Sequence, residues 1–231
     1  MKFFKYLYYF FYVAINWNFK LAFFILKSER KGERKYDIDT TGFDQLKKLK
    51  KAGASISHAT IYMPVSYHLL SKAFKHLPLT TRNNFVDIGS GKGRALCVAS
   101  NKGFKKVTGV EFSGEMCDSA RINLEHTKKR LPLLQYIVHN VDALDFAIPD
   151  DADCIFFFNP FDDIIMAQVV NNIKISLEKI PRDMAIIYAN PLYSNLLFNI
   201  GFAEKYYSCE MDFLEVSILS NRKKSSGFKE S

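Results

Sequence analysis

The stretch DIGSGKGR at residues 87–94 combines an acid, three glycines and an arginine directly behind a short apolar run. Glycine lets the backbone turn sharply and approach a ligand closely, and a helix that starts in such a turn offers unpaired N–H groups. Nicotinamide and flavin enzymes use a turn of this kind, and so do other cofactor classes. The turn by itself therefore predicts a cofactor site without choosing the cofactor.

Acidic residues near the turn favour a cofactor that carries positive charge. Asp87 stands two residues before the first glycine, where it would repel a pyrophosphate, and Arg94 takes the place of the third glycine of the dinucleotide pattern G-x-G-x-x-G. A carboxylate at this position suits an amino acid or a sulfonium. Glu111 and Asp142 follow at the next two predicted strand ends, near the expected ribose hydroxyls and adenine ring. Taken alone, Asp142 has a solvated loop acid as its alternative reading.

The elements that must position these residues alternate between strands and helices. Short apolar runs predict five strands, at 84–88, 106–111, 134–139, 153–158 and 184–189. Helical patterns occur at 43–53, 66–77, 93–103, 113–131, 163–180 and 192–200. Apolar strands that alternate with helices imply parallel pairing, whereas residues 203–220 contain two strands with no helix between them. We therefore predict an α/β fold: a three-layer Rossmann-like sheet, mostly parallel with an antiparallel C-terminal hairpin, and helices on both faces.

Four stretches together resemble the successive motifs of the class I S-adenosylmethionine-dependent methyltransferases: FVDIGSGKGR, VTGVEFSGEM, NVDALDF and FFFNPF. The resemblance covers residues 58–220 and implies S-adenosylmethionine as the cofactor. It places Asp87 and the glycine turn around the methionine portion, Glu111 on the ribose, and Asp142 with Ala143 at the adenine. The full set of candidate cofactor-binding residues is Tyr62, Asp87, Gly89, Ser90, Gly91, Gly93, Glu111, Phe112, Asp142 and Ala143.

The segment IYMPVSYHLL, just upstream of the glycine turn, is similar to a segment of two sets of lysine methyltransferases. One set is the histone methyltransferases of the disruptor-of-silencing type, and the other modifies lysines of mitochondrial inner-membrane proteins. Tyr62 and Tyr67 lie in this segment. They could close over the cofactor or flank an ammonium acceptor through cation–π contacts, and an aromatic pair that packs a helix onto the sheet is the alternative.

The acceptor side is predicted at Asn159, Pro160 and Phe161, which follow the fourth strand. They resemble the Asn/Asp-Pro-Pro-aromatic motif of amino-group methyltransferases, in which an amide oxygen and a backbone carbonyl accept hydrogen bonds from the target nitrogen. Only one proline is present here, so the match is partial. An ordinary turn at a strand end is the alternative. We predict an N-directed methyltransferase whose acceptor is a protein lysine.

Composition excludes some function classes. The hydrophobic and charged fractions, 48% and 24%, match an ordinary globular chain, and the formal net charge is +8. The positive charge is concentrated in the two flanks, which does not favour a nucleic-acid-binding body. The cysteines are scattered without a CxxC pair, so we predict no metal site, no disulfides and a cytoplasmic location.

The first 27 residues are unusually aromatic and predict one amphipathic helix with a narrow polar stripe. We predict that this helix lies in a membrane surface as a peripheral anchor; packing against the body or a second subunit is the alternative. The charged segment that follows predicts a linker. The expected domains are 1–35 for helix and linker, 36–220 for the methyltransferase domain and 221–231 for a basic tail.

Two other functions stay open on the sequence. The glycine turn alone would also suit a nicotinamide-dependent oxidoreductase. A membrane-tethered protein that binds the cofactor and has lost catalysis is the non-enzymatic alternative.

Overall fold

The computed structural model describes residues 2–41, 64–77, 82–158 and 162–222. Its central element is a seven-stranded sheet in the order β3-β2-β1-β4-β5-β7-β6. The strands are β1 Asn84–Ile88, β2 Lys106–Glu111, β3 Gln135–Asn140, β4 Ala152–Phe158, β5 Ala185–Ala189, β6 Ala203–Glu210 and β7 Leu214–Ser220. The first five are parallel, and β7 runs antiparallel to both β5 and β6. The predicted Rossmann-like sheet with a reversed terminal hairpin is confirmed.

Helices cover both faces of this sheet. They are α1 Lys2–Asn16, α2 Phe19–Tyr36, α3 Tyr67–Lys75, α4 Arg94–Asn101, α5 Gly114–Arg130, α6 Asp163–Lys179 and α7 Ser194–Phe198. Alternate strand residues enter two separate apolar clusters: Phe85 packs toward the side of α1 to α5, and Val86 toward the side of α6 and α7. This double coverage explains why β1, β4 and β5 read as continuous apolar runs. The amphipathic segment predicted at 43–53 lies outside the described residues.

Side-chain caps set the starts of the helices that flank the cofactor region. Ser66, Ser113 and Asp162 each precede a helix in extended backbone conformation and accept a hydrogen bond from the N–H three residues later. Such caps satisfy one of the free N–H groups of the first turn. The side chain of Asp162 therefore begins α6, which gives this acid a structural task.

The N-terminus departs from the predicted single helix. Helix α1 ends at Asn16, and α2 starts at Phe19. Between them Asn18 is extended, with φ of −164°, and its side chain accepts the N–H of Leu21 at 2.8 Å. The amphipathic period continues across this break, but an Asn that caps a new helix interrupts the backbone ladder. We call α1 and α2 together the N-terminal hairpin.

The charged segment after residue 27, expected as a linker, is also helical. Helix α2 continues to Tyr36 and ends at Asp37 in the left-handed conformation. Glu29, Gly32 and Glu33 in this segment are buried. A Cβ on Gly32 would lie 2.1 Å from the ring of Tyr67, so the glycine permits a close approach of α2 to α3. The linker prediction is wrong for these residues, and the domain boundary at 35 stays a prediction.

The outer side of the N-terminal hairpin exposes large apolar side chains. Phe4 is 73% exposed, Ile15 80% and Phe23 64%. The rings of Phe10 and Phe23 meet edge to face with centroids 4.8 Å apart, which joins the two helices. The inner side of the hairpin enters the main core through Tyr9, Val13, Leu21 and Ile25. None of the helices in the described ranges is long and apolar enough to cross a membrane.

Candidate functional site

The glycine turn lies between β1 and α4 and depends on backbone conformations that other residues rarely adopt. Gly89, Gly91 and Gly93 have φ of 84°, 50° and 78°. The N–H groups of Gly89 and Ser90 both donate to the carbonyl of Val110 at 2.9 Å, which fastens the turn to β2. Residues with a Cβ are strained in this region, so only glycine follows this path at low cost.

Glu111, the last residue of β2, is held in one orientation beside the turn. Its Oε2 accepts the N–H of Gly91 and its Oε1 accepts the N–H of Ser113, each at 2.9 Å. Burial raises the pKa of its carboxyl, and the hydrogen bonds from Ser113 and Gly91 oppose that shift. The backbone N–H of Phe112 is a third donor to this carboxylate, which leaves at least one of its roughly four lone-pair positions for a ligand hydroxyl.

Asp87 lies on β1 next to this carboxylate and is 3% exposed. Asp87 pairs with Gly109 in the parallel register of β1 and β2, which puts Asp87 and Glu111 on the same face of the sheet. Burial and the charge of Glu111 both raise the pKa of Asp87 well above its usual range. We call Asp87 and Glu111 the strand-end acids. They form a buried, electrostatically unfavourable pair that a cation would stabilise.

Ser90, in the middle of the turn, is buried next to Gly109. A Cβ on Gly109 would lie 2.8 Å from Ser90 Oγ and 2.8 Å from Leu96 Cδ1, so glycine in β2 makes room for the turn. Ser90 Oγ is buried and has no hydrogen-bond partner among the described residues. A buried hydroxyl without a partner costs about 1–3 kcal/mol, so this atom marks a place for a ligand atom.

The other candidate cofactor residues lie along the same edge of the sheet. Phe112 is partly exposed after β2, and its carbonyl accepts from Asn140 Nδ2 at 2.8 Å. Asn140 also donates to the carbonyl of Glu111 at 3.1 Å, so it fixes the loop that presents the acid. The sequence interpretation missed Asn140, although its position at the end of β3 was a usable signal. Asp142 is exposed and accepts the N–H of Leu144, and Ala143 is buried.

Directly after the glycine turn, Arg94 is buried in a polar cluster that the sequence interpretation also missed. Its Nη1 and Nη2 donate to Oε1 and Oε2 of Glu29 at 2.8 and 2.5 Å. Its Nε donates to Thr40 Oγ1 and its Nη1 to the carbonyl of Val65, both at 2.8 Å. Two parallel bonds between a guanidinium and a carboxylate give both strength and orientation. Arg94 thus joins helix α2 to the start of α4.

Glu33 completes this cluster one helical turn further along α2. Its Oε1 accepts the N–H groups of Thr40 and Thr41 at 2.7 and 2.6 Å, and its Oε2 accepts from Tyr6 Oη at 2.8 Å. Burial opposes ionisation, but the hydrogen bond from Thr41 and the charge of Arg94 hold the pKa of Glu33 below its usual value. We call these residues the glutamate–arginine cluster: Glu29, Glu33, Thr40, Thr41 and Arg94.

Tyr67 belongs to the surroundings of this cluster. Its ring stacks on Tyr36 with centroids 5.7 Å apart, and the Arg94 guanidinium lies 4.2 Å from its centroid. Its hydroxyl lies 3.0 Å from Thr40 Oγ1. The structure therefore gives Tyr67 the packing role, because its ring is already engaged and cannot flank a ligand.

Tyr62, Asn159, Pro160 and Phe161 lie outside the described residues. Close to the end of β4, however, the described chain encloses a cavity of about 230 Å³. We call it the hairpin cavity, because residues of the N-terminal hairpin line it together with Leu69, Phe158 and Asn190. Asn190 directly follows β5 and has φ of 52°.

Other chemistry has little support in the described ranges. They contain no group of three or more His, Cys, Asp and Glu side chains that could hold a metal ion. Cys97, Cys117 and Cys154 are buried thiols, while Cys209 is exposed. Burial raises the pKa of the Cys117 thiol to about 11, so it is not a thiolate nucleophile at neutral pH.

Comparison with known proteins agrees with this geometry. The family model described as histone methylation protein DOT1 matches residues 43–155, just under half of the chain. No curated protein matches the sequence.

Solved structures show the fold at low sequence identity. The pyocyanin biosynthetic protein PhzM aligns at a TM-score of 0.52 with 14% identity, over 66% of this chain and 54% of its own. A putative methyltransferase from Escherichia coli aligns at 0.51 with 14% identity, over 70% of this chain and 92% of its own. A tRNA (uracil-54, C5)-methyltransferase from Pyrococcus abyssi, in complex with S-adenosyl-L-homocysteine, aligns at 0.49 with 14% identity. This chain covers 37% of that last structure, so it spans about half or less of two of these proteins.

The sheet order, the glycine turn with its strand-end acids and the family match together place the chain in the class I S-adenosylmethionine-dependent methyltransferase superfamily. S-adenosylmethionine is the cofactor of that class. The predicted methyltransferase fold is confirmed, and the described residues give the oxidoreductase alternative no support.

Proposed function

We propose that this protein transfers a methyl group from S-adenosylmethionine to a nitrogen atom, with the side chain of a protein lysine as the acceptor. The observation that carries the proposal is the buried pair of strand-end acids at the glycine turn, both with raised pKa. A cation relieves such a pair, and S-adenosylmethionine carries both an ammonium and a sulfonium. A dinucleotide would add negative charge at the same place.

The described residues fit this cofactor at each of its parts. Asp87, Gly89 and Gly91 would hold the methionine portion, and Glu111 would accept the ribose hydroxyls with its remaining lone pairs. Ser90 Oγ offers a free hydrogen bond, and Ala143 with Asp142 would border the adenine. When bound, the cofactor supplies an electrophilic methyl group. The protein then has to align the acceptor and keep its lone pair free.

Two observations support a nitrogen on a protein as the acceptor. The sequence Asn159-Pro160-Phe161 follows β4, where the amide oxygen of an Asn can accept a hydrogen bond from an amine. The matching family model is described as a histone methylation protein. Both point to an amino group rather than to a carbon or an oxygen.

Calorimetric titration with S-adenosylhomocysteine tests the cofactor half of the proposal. We expect binding by the full chain and its loss in Asp87→Ala and Glu111→Ala. Asp118→Ala is the matched control, because this exposed acid on α5 only pairs with Arg121 on the surface. Folded protein that does not bind, or acid variants that bind as the control does, would contradict the assignment.

The acceptor half is tested by transfer of a labelled methyl group into lysate fractions. Protein, nucleic acid, lipid and small molecules are separated, and labelled protein is hydrolysed to amino acids. Label in methylated lysine is the expected outcome. Label in nucleic acid or lipid would contradict the protein acceptor, and tight cofactor binding without transfer to any fraction would favour the non-catalytic alternative.

We further propose that the N-terminal hairpin binds an anionic membrane surface from the cytoplasmic side. Its exposed aromatic and aliphatic side chains form an apolar outer face, and basic residues such as Lys20 and Lys27 flank it in the sequence. An in-plane helix that combines these features gains from both apolar insertion and lipid charge. Packing of a second copy on the same face is the competing outcome.

Flotation with phosphatidylcholine–phosphatidylglycerol vesicles tests the membrane proposal on the full chain. We expect the double variant Phe19→Ser/Phe23→Ser to leave the vesicle fraction, while Leu133→Ser, an exposed residue outside the hairpin, floats as the wild type does. Equal distribution of wild type and the double variant would remove the proposal. Truncation at residue 28 is unsuitable, because it would cut helix α2 ahead of buried Glu29.

A further inference from the structure

The order of the parallel strands changes direction between β1 and β4, and we call this place the reversal point. The cofactor residues lie on its β1 side, and the hairpin cavity lies on its β4 side. The reversal falls between β1, which leads into the glycine turn, and β4, which ends at Phe158. Ligands of such sheets bind beyond the carboxyl ends of the strands at this point. Phe158 and Asn190 are at the carboxyl ends of β4 and β5, and both line the cavity. A substrate held there would therefore meet the cofactor across the reversal point.

The N-terminal hairpin makes one wall of this cavity. Its contribution is aromatic and aliphatic, from Tyr9, Val13, Trp17, Leu21 and Ile25. All but Trp17 are nearly buried within the core of the protein. The hairpin therefore has two faces with different surroundings: an outer face exposed to solvent and an inner face that shapes a cavity.

The rim of the cavity at the β6–β7 turn carries an acidic residue, Asp212, and no Lys or Arg belongs to the lining among the described residues. Glu215 of β7 also borders the cavity, but its carboxylate lies beside Cys209 Sγ. Apolar walls suit a hydrocarbon chain, whereas aromatic rings and carboxylates suit an ammonium group. Asn190 in the left-handed conformation adds a polar side chain at a backbone position that is common in ligand sites.

We propose that the hairpin cavity is the acceptor site and that it binds an aliphatic chain ending in a primary amine, with the N-terminal hairpin as one of its walls. The site would thus recognise the apolar carbons of the acceptor as well as its amine. The role of the cavity in methyl transfer rests on the proposed function. The binding of an aliphatic amine rests on the cavity lining alone.

The single tryptophan of the sequence makes the cavity directly observable, because Trp17 lines it. Protein saturated with S-adenosylhomocysteine is titrated with butylamine, hexylamine and octylamine while Trp17 fluorescence is followed. Each added methylene should lower the dissociation constant about fourfold as it enters the apolar walls. Octanoate should bind at least tenfold more weakly than octylamine because of the acidic rim. Absence of chain-length dependence, or equal affinity for octanoate, would overturn the proposal.

Two variants locate the binding. Val13→Phe fills part of the cavity with a larger side chain. It should raise the dissociation constant of octylamine more than tenfold and leave the affinity for S-adenosylhomocysteine unchanged. Leu133→Ser, at an exposed position outside the hairpin, should change neither affinity. Retention of octylamine binding by Val13→Phe, or its loss in Leu133→Ser, would show that the amine binds outside the cavity. If Val13→Phe does not fold, Leu69→Phe fills the same cavity from α3.

The outcomes separate this inference from the proposed function. Failure of S-adenosylhomocysteine to bind would reject the methyltransferase function, whatever the amines do. Cofactor binding and labelled lysine without alkylamine binding would leave the function intact and reject the cavity as its acceptor site.

Discussion

Two buried acidic pairs lie close to the glycine turn, and the protein treats them differently. In the glutamate–arginine cluster, Glu29 and Glu33 meet the guanidinium of Arg94 and the N–H groups of Thr40 and Thr41. The strand-end acids, Asp87 and Glu111, disfavour each other's ionised form. Burial and the charge of Glu111 both raise the pKa of Asp87. The first pair has the Arg94 cation within the chain. In the second pair Glu111 accepts backbone N–H groups, but burial and its charge both disfavour ionised Asp87, so an external cation would stabilise the pair.

This difference separates a structural site from a ligand site with the same residue types. A buried carboxylate that is paired within the fold adds rigidity, and removal of its partner is costly. A buried carboxylate without such compensation lowers the stability of the free protein and is retained where a ligand relieves it. Four predictions test the comparison.

The largest effect is expected from Arg94→Met. Burial raises the pKa of Glu29, and the charge of Arg94 opposes this shift, so the variant leaves a fully buried carboxyl without its partner. We expect the free energy of unfolding to fall by about 3–5 kcal/mol in urea denaturation. The double variant Glu29→Met/Arg94→Met should recover most of that loss. A single variant within about 1 kcal/mol of the wild type would show that the cluster is not a structural pair.

A smaller effect of opposite sign is expected for the strand-end acids. Asp87→Asn removes a carboxyl whose ionised form is disfavoured by burial and by the charge of Glu111, so the free protein should gain about 1–2 kcal/mol of unfolding free energy. The same change should weaken the binding of S-adenosylmethionine at least tenfold. Glu29→Gln is the matched comparison and should destabilise the protein. Equal loss of stability in both variants would erase the distinction between the two pairs.

The raised pKa of Asp87 also predicts a pH dependence. Below the pKa the free protein holds the proton, and a cation favours the ionised form, so binding of S-adenosylmethionine should strengthen as pH rises through that pKa and release a proton. The stability of the free protein depends on pH in the opposite direction. The contribution of Asp87 to the free energy of unfolding is fully present below the unfolded pKa of about 3.9 and is lost as pH rises through the folded pKa.

Calorimetry in two buffers with different ionisation enthalpies counts the released protons. Asp87→Asn should abolish most of the release, while Glu29→Gln should leave it unchanged. Binding without proton release at any pH would contradict the raised pKa.

The smallest effect concerns the turn between the two pairs. Gly93 has φ of 78° and a Cβ there would lie 3.1 Å from Ala120 Cβ, whereas Gly201 has φ of 92° with open space around it. Gly93→Ala should cost about 1–2 kcal/mol and Gly201→Ala about 1 kcal/mol in thermal unfolding. Of the two variants, only Gly93→Ala should also lower the affinity for S-adenosylhomocysteine. Equal effects on binding would mean that the turn does not shape the cofactor site.

The sequence was a good guide where local pattern and tertiary role agree. The bounds of β1 and β2 match the prediction, because a strand buried on both faces appears as an apolar run and the glycines end it. The positions of Asp87 and Glu111 followed from the same pattern, since parallel strands bring their carboxyl ends to one edge. Their functional roles remain predictions until cofactor binding is measured.

The sequence was a poor guide at the N-terminus. The polar stripe continues through Asn16 and Lys20, so the period alone does not reveal the break. Asn18 lies opposite that stripe, and an Asn at such a position is a favoured helix cap, which was the one local sign of a turn. The charged segment at residues 27–37 is typical of a solvated linker, yet Glu29 within it is fully buried. Its partner, Arg94, lies 65 residues away, and a pairing over that distance leaves no periodic signal.

The amino-acid sequence by itself determined the alternating elements, the glycine turn and the acids that follow the strands, because these depend on local backbone preference and on burial. Only the tertiary structure decided which buried acids are neutralised and which face a ligand. It also showed that the expected single helix and linker form a hairpin of two helices, which is joined to Arg94 after the glycine turn and lines a cavity. The physical reason is that the free energy of a buried charge depends on its solvation and on its partners, and distant segments of the chain set both.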